Sequence, residues 1–190
     1  MRASGPNISV NKGCGWIKEV QCGCVEKGIE WKFTDFRSLC AQLIKDNILV
    51  YPIENFARFD QASKLVTLSV ALALYDASIH YTKDKKQDIG ILGMSPDGAL
   101  ASNLAYFRDY AACGRKLGRG NLFIYTLPSS PLAEAAITFG LQGPLAYIRH
   151  TDKPEENLLA QAELMIKNKD ALAMVVVAWD INRATCHFVA

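Results

Sequence analysis

The groups in this chain with the chemistry for catalysis or metal binding are six cysteines, three histidines and an acidic helix start. The cysteines are Cys14, Cys22, Cys24, Cys40, Cys113 and Cys186. A structural zinc site takes cysteines paired at CxxC-like spacing, and these are not so paired. Cys22 and Cys24 are one residue apart, too tight for tetrahedral chelation. Cys40 and Cys113 fall among apolar positions of helical spacing, where a free thiol packs as a small hydrophobe. The six are expected to be reduced structural thiols, with no metal bound. The histidines are His80, His150 and His187. His150 stands two residues before Asp152, within reach as a base, but no nucleophile is evident beside the pair. His187 precedes apolar Phe188 and reads as a structural histidine. Ser129 and Ser130, just before Pro131, read as helix caps, and no Ser/His/Asp arrangement emerges. Residues 114–120, GRKLGRG, form a loop without a complete Walker motif or the strand context of a dinucleotide site, so no cofactor is expected.

The acidic start is HTDKPEE at 150–156. Asp152 and Glu155 have the spacing of a capping box, and Pro154 fits the first helical turn. Asp152 is therefore expected to cap a helix over 154–167.

The elements around these groups follow from periodicity. Ile8 and Val10 begin a strand, and residues 13–17 continue the pattern. Residues 28–33 alternate Ile29, Trp31 and Phe33 with Glu30 and Lys32, as a half-buried strand does. Thr34 is placed to cap a helix whose apolar positions are Phe36, Leu39, Cys40, Leu43 and Ile44. After a connector at 47–55, a long helix is expected over 60–78, burying Ala62, Leu65, Val66, Ser69, Val70, Ala73 and Leu74. Residues 80–87 are expected to be polar and exposed. Residues 89–94 read as a buried strand, and 95–98 as a turn able to cap a helix over 99–113. A short apolar helix over 131–139 ends at Gly140. Strands follow at 146–148, 171–179 and, returning antiparallel, 185–189. The alternation of strands and helices predicts an α/β layer with a mixed sheet.

At 190 residues the chain is expected to form a single domain, 1–190, with half of its residues apolar. A net charge of +2 gives no reason to expect nucleic acid or an anionic membrane surface as partner. The basic cluster Lys83, Lys85 and Lys86 is interrupted by Asp84 and Asp88. No apolar run is long enough to span a bilayer, and the first residues lack the apolar middle of a secretory signal. A cytoplasmic protein is expected. The apolar end at 186–190 reads either as a last sheet strand or as a cut within a longer polypeptide.

Three segments carry a family resemblance. The first is NFARFDQASK at 55–64 with its apolar helix to Ala77, the second is the strand at 89–93, and the third runs over 126–179 from TLPSSP to VVVAW. In order and separation they resemble β-ketoacyl synthases, the carbon–carbon bond-forming enzymes of fatty-acid and polyketide assembly. The resemblance implies a thiolase-like fold, which usually has two similar halves, each a mixed sheet packed between helices. This chain has the length of one half. The family's catalytic histidines belong to the other half, so His80, His150 and His187 inherit no role from them. Laid on the pattern, Asp152 occupies the position of the catalytic cysteine, and Lys153, Pro154 and Glu155 replace the small residues that follow it. That cysteine sits at a helix start because unpaired N–H groups there favour thiolate and support an oxyanion. A carboxylate in its place is a poor nucleophile toward a thioester. The resemblance thus implies a non-catalytic partner subunit of the chain-length-factor kind, a homodimer or a heterodimer with a ketosynthase-like subunit, in contact with an acyl-carrier protein. The family strand before the nucleophile lies at the subunit interface, which makes Tyr147, Ile148 and Arg149 the candidate interface residues. Residues 127–132 match the segment lining that region. The alternative is an acyltransferase or condensing enzyme, acting on acyl-carrier-protein or CoA thioesters, with atypical or partner-supplied catalytic residues.

Overall fold

The computed structural model describes residues 12–82, 84–116, 118–149 and 154–190. The strand start expected at Ile8 and Val10 lies outside them.

The chain opens with three antiparallel strands, β1 (Gly13–Lys18), β2 (Gln21–Cys24) and β3 (Ile29–Lys32). Helix α1 (Phe36–Lys45) follows. Its cap is Asp35 and not Thr34: the Asp35 carboxylate accepts the N–H groups of Arg37 and Ser38 at 2.8 and 2.9 Å, and the Ser38 hydroxyl closes a capping box. A carboxylate with two N–H donors outcompetes the neighbouring hydroxyl for the cap.

Helix α2 (Gln61–Asp76) is the centre of the molecule. Asp60 caps it, accepting the Ser63 N–H at 2.8 Å. Apolar residues surround it on all sides, and the structure buries almost every side chain from Leu65 to Leu74, more than the single face expected from the sequence. The reason is close packing on two sides, against the sheet at β1 and against a later helix, α5 (Ser130–Phe139). At β1 the approach needs glycine: a Cβ on Gly15 would lie 2.5 Å from the Ala73 backbone nitrogen.

Strand β4 (Ile89–Met94), buried throughout, is followed by α3 (Leu100–Ala112) and the short α4 (Gly120–Phe123). Ala99, not the 95–98 turn, stands at the α3 cap, with no side-chain hydrogen bond. Helix α5 ends at Gly140, whose φ of 67° is the left-handed geometry of a helix stop. Then come β5 (Leu145–Tyr147), α6 (Pro154–Lys167), β6 (Ala173–Trp179) and β7 (Arg183–Val189). The seven strands make one mixed sheet in the order β3-β2-β1-β7-β6-β4-β5. β4 is parallel to β5 and β6, and β7 is antiparallel to both β6 and β1. Residues 183–189 are therefore an interior strand, joining an antiparallel half to a parallel half.

Helices cover both faces, as expected. Val175, Val177 and Trp179 of β6 face the side of α1, α2 and α5, where they share a core with Leu39, Leu68 and Leu132. Met174 and Val176 face the other side and pack with Leu158 and Ala162 of α6. α6 lies over β6, β4 and the rim of β7. Beyond it, β1 to β3 turn Lys18, Gln21, Glu30 and Lys32 outward, all exposed. The parallel half is covered on both faces and the antiparallel half is wet on one.

Tyr81 corrects the expectation of an exposed 80–87 connector. Its ring is buried against Phe139, 4.9 Å between centroids, and its hydroxyl donates to the Ile48 carbonyl at 3.0 Å.

Candidate functional site

The carboxyl ends of β4 and β6 open at one edge of the sheet, where α/β proteins usually place their clefts. A groove of about 480 Å³ lies there, lined by Asp60, Ser95, Leu100, Leu104, Leu127 and Trp179 among others. Polar side chains build its frame. Asp60 accepts the Ser102 hydroxyl in addition to the Ser63 N–H, which ties the start of α3 to the start of α2. The Asn103 side-chain amide donates to the carbonyls of Ala99 and Thr126 at 2.9 and 3.0 Å, fixing α3 against the 124–126 turn.

The walls of this groove are apolar and open. α3 buries none of its residues. Leu100, Leu104 and Phe107 repeat at i, i+4 and i+7, on one helical face, and are 55%, 45% and 58% exposed. Leu127, 58% exposed, and Ile181 extend the apolar surface across the groove. Contiguous exposed apolar side chains of this kind are typical of interaction surfaces.

Strand β5 borders the groove. The Tyr147 hydroxyl donates to the Ser95 carbonyl at 2.6 Å, and its ring meets Trp179 edge to face, 5.9 Å between centroids. Among the described residues β5 pairs with β4 alone and stands last in the sheet. The Ile91 N–H bonds the Pro144 carbonyl and the Ile148 N–H bonds the Gly93 carbonyl, so alternate residues 144, 146 and 148 face β4. Leu145 and Tyr147 consequently direct their backbone N–H and C=O groups away from the sheet. No described residue pairs with these groups, and an edge of that kind can serve as a template for another strand.

The three residues expected at an interface take different places. Tyr147 spends its side chain on Ser95 and Trp179, Ile148 is half-buried against the α6 side of the core, and Arg149 is exposed. Asp152 and His150 lie outside the described residues. Glu155 turns its carboxylate to the His187 ring on β7, pinning the first turn of α6 to the sheet, so His187 is half-buried and paired. Neither Ser129 nor Ser130 caps α5 through its side chain; the Ser130 hydroxyl instead donates to the Ile124 carbonyl, closing the 124–130 turn.

The thiols are poorly poised for nucleophilic work. Burial pushes Cys14 up to about 11, helped by the nearby Glu155 and Asp76 carboxylates, and pushes Cys22 and Cys24 up to about 12. Cys186 is wholly buried, and that burial raises it well above the ordinary thiol value. Cys113 is exposed, at the end of α3. Among the described residues no group of three or more His, Cys, Asp or Glu side chains is placed to hold a metal ion.

Sequence reasoning missed the α3 face and Leu145. The signal for the face was present, because Leu100, Leu104 and Phe107 have helical spacing. What the sequence could not show is that this stripe has no core to enter.

No family model matches the chain, and no curated protein matches it. Solved structures do match. The ishigamide ketosynthase/chain length factor superposes with a TM-score of 0.63 at 11% identity, covering 94% of this chain and 61% of that one. A type II PKS acyl-carrier protein in complex with its ketosynthase, bound to the hexaketide, gives 0.62 at 10% identity, covering 93% and 56%. Ketosynthase twelve of the bacillaene polyketide synthase from Bacillus amyloliquefaciens gives 0.58 at 9% identity, covering 94% and 41%. The chain thus spans about half the length of the structures it matches. At these identities the likeness establishes the fold: a thiolase-like half, with its mixed sheet between helices.

Proposed function

We propose that this chain is a ketosynthase-like partner subunit of fatty-acid or polyketide-type assembly that works by association and not by catalysis of its own. The observation that carries this reading is the continuity of three open features. The β5 edge, which no described strand pairs, meets the groove through Tyr147, whose side chain touches Ser95 and Trp179 of its lining. The exposed face of α3 is the groove's wall, and together they would make one docking surface. Backbone pairing at the edge would set register, and the apolar stripe would supply area. The partner is a second ketosynthase-like chain, in a heterodimer of the chain-length-factor kind or a homodimer. The solved relatives with the same fold include a ketosynthase/chain length factor and a ketosynthase in complex with an acyl-carrier protein, and an acyl-carrier protein is proposed as the further contact of the assembled pair.

The raised thiols of Cys14, Cys22, Cys24 and Cys186 support the non-catalytic part of the reading, as does the aspartate at the expected nucleophile position. The test is native mass spectrometry of the tagged protein recovered from its own host. A stoichiometric complex with a ketosynthase-like subunit is the expected result. A monomer throughout, together with an acyl adduct on one of its residues after incubation with acyl thioesters, would replace this reading by the acyltransferase one.

A further inference from the structure

A second cavity lies behind the groove, with the Tyr125 ring lining both. It measures about 400 Å³ and sits between the 51–59 loop, the 121–125 segment and α5. Tyr51, Phe59 and Tyr125 give it aromatic walls. Glu134 of α5, half-buried, also lines it, and its carboxylate accepts the Tyr125 hydroxyl at 3.1 Å.

That carboxyl is raised above its ordinary value. Desolvation is the main cause, the hydrogen bond from Tyr125 opposes it, and the Asp60 carboxylate adds to the rise. Arg58 also lines the cavity; its side chain is exposed, and its charge acts on the Tyr125 hydroxyl. Glu54 lines it as well. Carboxylates taken from water are normally matched by a cation, and here a phenol is the partner the structure gives to Glu134.

We propose that this cavity binds a compact organic ammonium ion with an aromatic or apolar body. The Glu134 carboxylate takes the ammonium in a charge-assisted hydrogen bond. The rings of Tyr51, Phe59 and Tyr125 pack on the body and favour a cation over their faces. Asn121 and Thr138 line the same space and limit its length. The site does not depend on the docking reading.

The test is a titration of the ¹⁵N-labelled full chain at pH 8, followed by amide shifts. One probe is 2-phenylethylammonium chloride, and the other is its uncharged isostere, 2-phenylethanol. The expected result is localised shifts at Asn121, Tyr125, Glu134 and Thr138, with the ammonium binding at least tenfold more tightly than the alcohol. Glu134→Gln should abolish that preference. Ile137 lines the cavity and is 75% exposed, so Ile137→Lys leaves the fold intact, sets a cation at the mouth and should weaken the ammonium at least fivefold. Equal affinity for the two probes, an absence of localised shifts, or a preference that survives Glu134→Gln in a folded protein would each overturn the assignment.

Discussion

Asp76 shows how much one side chain can hold. It ends α2, is almost fully buried, and accepts the backbone N–H groups of Cys14, Glu26 and Lys27 at 2.8, 3.0 and 2.9 Å. One carboxylate therefore ties the central helix to both β1 and the β2–β3 turn. Hydrogen bonds to a charged acceptor are the stronger kind, and losing them leaves three N–H groups unmatched. Asp76→Ala should lower stability by about 2–4 kcal/mol in urea denaturation, with Asp76→Asn in between. The sequence concealed this residue, because an aspartate near a helix end reads as a solvated charge unless the turn that meets it is known. Cysteine chemistry is a second residue-scale consequence. At pH 7.5 iodoacetamide should add a single carbamidomethyl group to the folded protein, at exposed Cys113, since burial keeps the other thiols protonated or shielded. Two or more adducts before unfolding, seen by intact mass, would contradict the burial described.

Among the elements, α2 and β1 were legible in outline and not in contact. An apolar helix of small residues announces burial, and alternation announces a strand. That the two approach backbone to backbone follows only from the glycines on the facing side of β1. Gly15→Ala puts a methyl against the Ala73 nitrogen and the Ser69 carbonyl, where neither neighbour is a flexible side chain. The expected cost is roughly 1–3 kcal/mol, typical of overpacking, read as a lowered urea midpoint with an unchanged slope. Thr34 and the 95–98 turn failed as caps for a related reason. Cap preference ranks residue types, but geometry picks the one whose acceptor meets the free N–H groups, and here Asp35 did so. Tyr81 likewise looked exposed within a polar connector, and only the position of Phe139 explains its burial.

For the whole molecule, the mixed sheet between helices was readable from the alternation of elements, and the thiolase-like half from three separated segments. The proposed docking surface was readable only in part. Periodicity places Leu100, Leu104 and Phe107 on one face, but exposure is a property of the assembled layers. Of the residues expected at an interface, Tyr147 lies on β5 with its side chain committed inward, Ile148 and Arg149 follow the strand, and Leu145 and Tyr147 supply the outward backbone. A variant can separate docking from folding. Leu145→Pro removes an outward N–H and leaves the β4 ladder, so the isolated chain should keep its thermal midpoint within a few degrees. Leu104→Lys puts a charge into the exposed stripe. Each should reduce complex formation at least tenfold in native mass spectrometry. Full complex with both variants would remove the β5 edge and α3 from the interface.

The place of β7 has a consequence for how the molecule is made. The first strands of the sheet and the strands of its parallel half touch only through residues 183–189, which are translated after all the others in it. Until that segment leaves the ribosome, β1 and β6 both lack a neighbour, and their unpaired edges wait. At roughly 5–20 residues per second β1 waits on the order of ten seconds or more and β6 only about a second, both far beyond the time a hairpin needs to form. Until then the nascent chain holds two unjoined sheet fragments, each sticky along one side, and the arrival of residues 183–189 is the step that joins them.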